Sequence, residues 1–75
     1  MHRLGAPHVM LTPRGTPYRI LRDLARHGNI PSRDECQQCE RQGRLEHALG
    51  QREFARLTLL CARALWSAYR ARYTT

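Results

Sequence analysis

The chain has 75 residues, and 13 arginines, no lysine and six carboxylates give it a net charge of +7. This length allows one small domain with a marginal core, which usually depends on a metal, a disulfide or a partner. The positive charge favours an anionic partner: a nucleic acid, an acidic protein surface or anionic lipid. Three cysteines cannot all pair within one chain, so we expect a reducing, cytoplasmic location.

The N-terminal segment, residues 1–15, contains two prolines and two glycines and predicts an irregular arm ahead of a single helical domain at 16–75. Its first residues lack the apolar run of a signal peptide. No segment approaches the roughly 18 apolar residues that a membrane span needs. We therefore expect a protein that does not enter a membrane.

The first predicted helix covers residues 17–27. Thr16 can cap its N-terminus, and Pro17 suits the first helical position because its missing N–H group needs no partner there. Gly28 or Asn29 can then adopt the left-handed conformation that ends a helix. One face of this helix carries three arginines: Arg19, Arg22 and Arg26.

The second predicted helix begins with a capping box, in which Ser32 and Glu35 satisfy each other's backbone N–H groups. We predict that it runs to about Gln42 and stops at Gly43. The helical pattern resumes at Arg44.

The longest predicted helix covers residues 51–73, after Gly50, which is either a bend or an interior glycine. Its apolar residues form two stripes. The first stripe comprises Phe54, Leu57, Cys61, Leu65 and Ala68, and the second comprises Leu59, Trp66 and Tyr73. An arginine row lies beside the second stripe, at a spacing of seven: Arg56, Arg63 and Arg70. The short helices cannot cover both stripes, so we expect a partner protein or a homo-oligomer.

A pair of cysteines, Cys36 and Cys39, provides the only apolar side chains of the second helix. With His27 and His47 they form a set of four possible zinc ligands, the number that a tetrahedral site needs. Two cysteines at positions i and i+3 are equally typical of a small buried stripe, and a redox pair is the third alternative. We favour the buried stripe and predict no metal and no cofactor.

The arginine row is compatible with two functions, protein binding and nucleic-acid binding. No nucleophile–base spacing or phosphate-binding loop is present, so we expect no enzyme. Arginine beside tryptophan and tyrosine is typical of protein interfaces. The predicted partner-binding residues are Arg56, Leu59, Arg63, Trp66, Arg70 and Tyr73. The alternative is DNA or RNA binding through arginines of two helices: Arg19, Arg22, Arg26, Arg56, Arg63 and Arg70.

Residues 35–73 resemble the ANR family of short helical negative regulators. The matching positions are Glu40-Arg41-x-Gly43, Ala48, Ala55 and Trp66-Ser67-Ala68-Tyr69-Arg70. The resemblance implies a protein that inhibits AraC-type transcription activators by direct contact. Together with the residue patterns, it predicts an all-α domain of three or four helices with a long C-terminal helix. We expect a small regulator of bacterial, plasmid or phage gene control.

Overall fold

The computed structural model describes residues 15–73, which form three α-helices and no strand. Helix α1 spans Gly15–His27, α2 spans Arg33–Ala48 and α3 spans Arg52–Tyr73. The predicted all-α class and the long C-terminal helix are confirmed. The predicted arm at 1–15 lies, except for its last residue, outside the described residues. No helix of the described part is both long and apolar enough to cross a membrane.

The ends of α1 follow local backbone chemistry. The helix begins at Gly15, two residues before the predicted start, so Thr16 lies in its first turn rather than ahead of it. At the other end Gly28 has a φ of 68°, and its N–H donates to the carbonyl of Leu24 at 2.9 Å. This left-handed glycine satisfies a carbonyl that the helix leaves open. The predicted stop at Gly28 is confirmed.

Helix α2 begins at the predicted capping box. The N–H of Glu35 donates to Ser32 Oγ at 3.2 Å, and the N–H of Ser32 donates to Glu35 Oε1 at 2.8 Å. The two bonds satisfy backbone donors that would otherwise lack a partner at the helix start.

The predicted stop of α2 at Gly43 is wrong, because the helix continues through this residue to Ala48. Gly43 is buried against α3, and a Cβ atom placed there would lie 2.6 Å from Leu59 Cδ2 and 2.7 Å from Leu59 Cγ. Glycine therefore occurs here because the two helices approach closely, not because α2 ends.

Gly50 is the residue that separates α2 from α3, with a φ of 80°. Its N–H donates to the carbonyl of His47 at 3.0 Å, and the N–H of Gln51 donates to the carbonyl of Glu46 at 2.9 Å. This pair of bonds is the Schellman arrangement, which requires a left-handed residue between helix and loop. Of the two interpretations of Gly50, the bend is confirmed.

The core lies where α2 packs along α3 and α1 closes over both. Its buried cluster consists of Cys36, Cys39, Ala62 and Leu65. Five partly buried side chains surround this cluster: Ile20, Leu21, Leu24, Trp66 and Tyr69. The core is built from small side chains, as the composition of α2 requires.

The buried face of α3 differs from the predicted first stripe. Only Cys61 and Leu65 of that stripe are buried, and its other members are partly exposed. The buried residues of α3 are Ala55, Thr58, Cys61, Ala62 and Leu65. Apart from Leu65, small side chains occupy this face because α2 approaches it closely, and the other large apolar residues lie at its edges.

The close approach at Gly43 predicts a conditional effect of Gly43→Ala. We expect this change to lower the free energy of unfolding by about 1–3 kcal/mol, because the added methyl overlaps Leu59. In a Leu59→Ala background the same change should be neutral, or should stabilise by up to about 1 kcal/mol through helix propensity. Urea denaturation of the wild type, the two single variants and the double variant measures the coupling between the two positions. Stabilisation by Gly43→Ala in the wild-type background would contradict the contact.

Candidate functional site

An open groove of about 390 Å³ runs between α2 and α3. We call it the α2–α3 groove, and it is lined by Glu40, Leu59, Ala62, Arg63, Trp66 and Arg70. Leu59, Ala62, Trp66 and Arg70 recur at intervals of three or four positions, so they share one strip of α3, and Arg63 lies beside it. Glu40 is the contribution of α2.

Trp66 is the largest side chain of the groove and connects it to the core. Its partly buried ring packs against the core cluster and meets the ring of Tyr69 edge-on, with centroids 5.7 Å apart and an interplanar angle of 90°. This arrangement is the favourable one for aromatic pairs. Trp66 therefore presents one fixed apolar face to the groove.

The positive and negative side chains of the groove lie on different helices. Arg63 and Arg70 are exposed on α3. The carboxylate of Glu40 accepts a hydrogen bond from the Arg44 guanidinium, one turn along α2, at 3.1 Å. Arg63 and Arg70 place two guanidinium groups on the α3 side of the groove. This side suits a ligand that carries carboxylates.

The structure assembles four of the six predicted partner-binding residues: Leu59, Arg63, Trp66 and Arg70 line the groove together. Arg56 lies elsewhere on α3, in a depression with Glu53, Leu57 and Leu60. Tyr73, at the end of α3, is 66% exposed and packs on the ring of Tyr69. Sequence reasoning missed Glu40 as a lining residue, because nothing local shows which α2 residue faces α3.

The arginines of the nucleic-acid alternative do not share a surface. Arg19, Arg22 and Arg26 are exposed on the side of α1 opposite the residues that pack on the core. The arginine row is exposed on the side of α3 opposite Leu65. Because both helices bury their other faces in the same core, their arginines point in diverging directions.

The possible zinc ligands do not form one site. Cys36 and Cys39 are free and fully buried, whereas His27 and His47 are exposed at the ends of their helices. Residues 15–73 contain no group of three or more histidine, cysteine or acidic side chains that could hold a metal ion. The two cysteines are core residues, as the buried-stripe interpretation expects.

Burial makes the thiols poor nucleophiles. It raises the pKa of Cys39 from 9.0 to about 11, with further contributions from Cys36 and Cys61 nearby. Burial also raises the pKa of Cys36 and of Cys61. Because the thiolate is the reactive form, protonated buried thiols do not suit a redox pair.

Comparison of the chain with known protein families, with curated proteins and with solved structures finds no match. We therefore infer function from the geometry and charge of the α2–α3 groove.

We expect protein purified without chelator to carry only substoichiometric zinc, because its cysteines pack in the core and its histidines do not. Elemental analysis by plasma mass spectrometry measures the content, and dialysis against EDTA should leave the melting temperature unchanged. If the protein instead held stoichiometric zinc, and Cys39→Ser lost both the zinc and the fold, the four-ligand interpretation would be correct.

The raised thiol pKa values predict alkaline destabilisation. The unfolded chain loses the Cys39 proton near pH 9, whereas the folded chain keeps it to about pH 11. The folded state thus binds more protons in this window, so the free energy of unfolding should fall as the pH rises through it. Urea denaturation across the window measures the slope. Cys39→Ala should make the slope shallower. An unchanged slope would show that the raised pKa of Cys39 does not cause the loss of stability.

Proposed function

We propose that this chain is a small non-enzymatic regulator that binds a larger protein through the α2–α3 groove. The observation that carries this proposal is the position of Trp66, which is fixed by core contacts and flanked by Arg63 and Arg70 in an open groove. Tryptophan and arginine are the residues most enriched at the energetic centres of protein interfaces. A ring that is already immobilised loses little conformational entropy when a partner covers it.

The lining of the groove favours a protein over a nucleic acid. Leu59, Ala62 and Trp66 give it an apolar floor, which a phosphate backbone does not use. A protein surface that combines an apolar side chain with carboxylates matches both the floor and the arginines.

Direct nucleic-acid binding is the second candidate, and the net charge of +7 is the observation that favours it. Its arginines lie on diverging faces of α1 and α3, so one duplex would meet only one set at a time. Binding of that kind is electrostatic and insensitive to sequence.

The resemblance to the ANR family gives the proposed function a specific form. Three of the residues that carry the resemblance, Glu40, Trp66 and Arg70, line the groove, and Gly43 permits the helix contact beside it. This convergence supports an inhibitor of an AraC-type activator in bacterial, plasmid or phage transcription, acting in the cytoplasm. The raised pKa values of the buried thiols argue only against a function that uses a reactive cysteine.

Two exposed arginines on different faces test the proposal. We expect Arg63→Ala to weaken capture of the partner from a nuclease-treated bacterial lysate by about 2 kcal/mol, as for an interface anchor. The matched control Arg19→Ala lies on α1, away from the groove, and should leave capture unchanged. Affinity chromatography with quantified partner depletion measures both.

The opposite result has a clear signature. If capture disappears with nuclease, and both substitutions lower the salt dependence of nucleic-acid binding equally, the arginines contact phosphates. The groove would then not be the functional site.

A further inference from the structure

The arginine row separates two surfaces of α3. The α2–α3 groove lies on one side of the row. On the other side is a second surface that no helix within residues 15–73 covers. We call it the outer strip, and it consists of Leu57, Leu60, Ala64, Ser67 and Ala71. Leu57 is partly buried, and the other four residues are exposed.

The outer strip has the spacing of a coiled-coil seam. Its members recur at alternating intervals of three and four, so they correspond to successive a and d positions of a heptad pattern. Leu60 is 53% exposed and, with Leu57, borders a depression of about 310 Å³ that also includes Glu53 and Arg56. The strip extends over roughly 21 Å of helix, which is the length of four turns.

We propose that the outer strip binds an amphipathic helix of a partner protein, with acidic residues along the edge that faces the arginine row. The proposal goes beyond the groove, because it concerns the opposite side of the row and a different set of apolar residues. It also specifies the secondary structure and the charge of what binds.

The side chains of the strip define the shape of the partner. Ala64, Ser67 and Ala71 are small, so a second helix can approach closely at this end and fill the space with large apolar side chains. Leu57 and Leu60 project at the other end, where the partner needs smaller residues. Placing large side chains of one helix against small side chains of the other gives dense packing between helices.

The charges select an acidic partner over a second copy of the chain. The arginine row occupies the heptad position that flanks the seam on one edge. In an antiparallel pair of copies, the two rows would face each other and repel. In a parallel pair, each row would face Phe54, Cys61 and Ala68 of the other copy, which provide no carboxylate. A helix with aspartate or glutamate at that edge pairs with the Arg56 and Arg63 guanidiniums.

A designed helix tests the proposal on the full chain. The probe is a fluorescein-labelled peptide of about 21 residues, with leucine at a and d positions and glutamate at e and g positions. Its control has lysine in place of every glutamate. We expect the acidic peptide to bind at micromolar concentration, with an affinity that falls as salt rises, and the basic peptide not to bind. Fluorescence anisotropy measures both.

Matched variants locate the binding site. Leu60→Asp should weaken binding of the acidic peptide about tenfold or more, because it removes an apolar anchor and adds a repelling charge. Arg56→Glu should weaken it comparably. Leu45, 59% exposed on α2, provides the control Leu45→Asp, and Arg41→Glu is the control for charge. Both controls should bind like the wild type, and circular dichroism checks that every variant is folded.

The proposal would be overturned by no binding of the acidic peptide, by equal binding after Leu60→Asp, or by a wild-type dimer that Leu60→Asp dissociates. The last result, read by sedimentation, would assign the strip to a second copy. Displacement of the peptide by duplex DNA, with DNA binding unaffected by Leu60→Asp, would assign the arginine row to phosphates and also contradict it. Loss of peptide binding with retained, Arg63-dependent capture from lysate would leave the proposed function of the groove standing.

Discussion

The close contact of α2 and α3 at Gly43 is the constraint on which the rest of the structure depends. The absence of a Cβ atom lets Leu59 of α3 rest directly against the α2 backbone. At this short distance the small side chains Cys36 and Cys39 reach Ala62 and Leu65 and exclude water. A helix without aliphatic residues on its buried face can therefore still pack. Leu59 also lines the groove, so the contact that holds the helices together also shapes the proposed binding surface.

The fold could be predicted from the sequence wherever its cause is local. The Ser32 capping box and the left-handed Gly28 act within a few residues, and both lie where the sequence predicts them. Gly43 could not be interpreted locally, because glycine both ends helices and permits close helix contacts, and only the neighbouring helix distinguishes these roles. The prediction of the buried face of α3 is wrong for the same reason. Large apolar residues suggest burial, but a close neighbour selects small ones such as Ala55 and Ala62.

The part of the candidate site that lies on α3 could be predicted from the sequence. Residues of α3 at intervals of three and four share a strip by helical geometry alone, so the position of Trp66 beside Arg63 follows from their spacing. The part played by Glu40 depends on which face of α2 meets α3, and sequence patterns do not determine that. Tyr73 has the spacing of the second stripe, but it lies at the end of α3, outside the groove, where it packs on Tyr69.

Trp66 links the fold to the proposed binding surface, because the same ring packs on the core cluster and lines the α2–α3 groove. With a core of small side chains, this domain gains less from its own apolar burial than a domain of aliphatic side chains would. A partner that covers Trp66 adds apolar burial to the folded state alone and so shifts the folding equilibrium by mass action. For the proposed regulator, the effect of a partner would therefore depend on its concentration in two ways. The partner is bound by the folded chain, and it also increases the fraction of the chain that is folded.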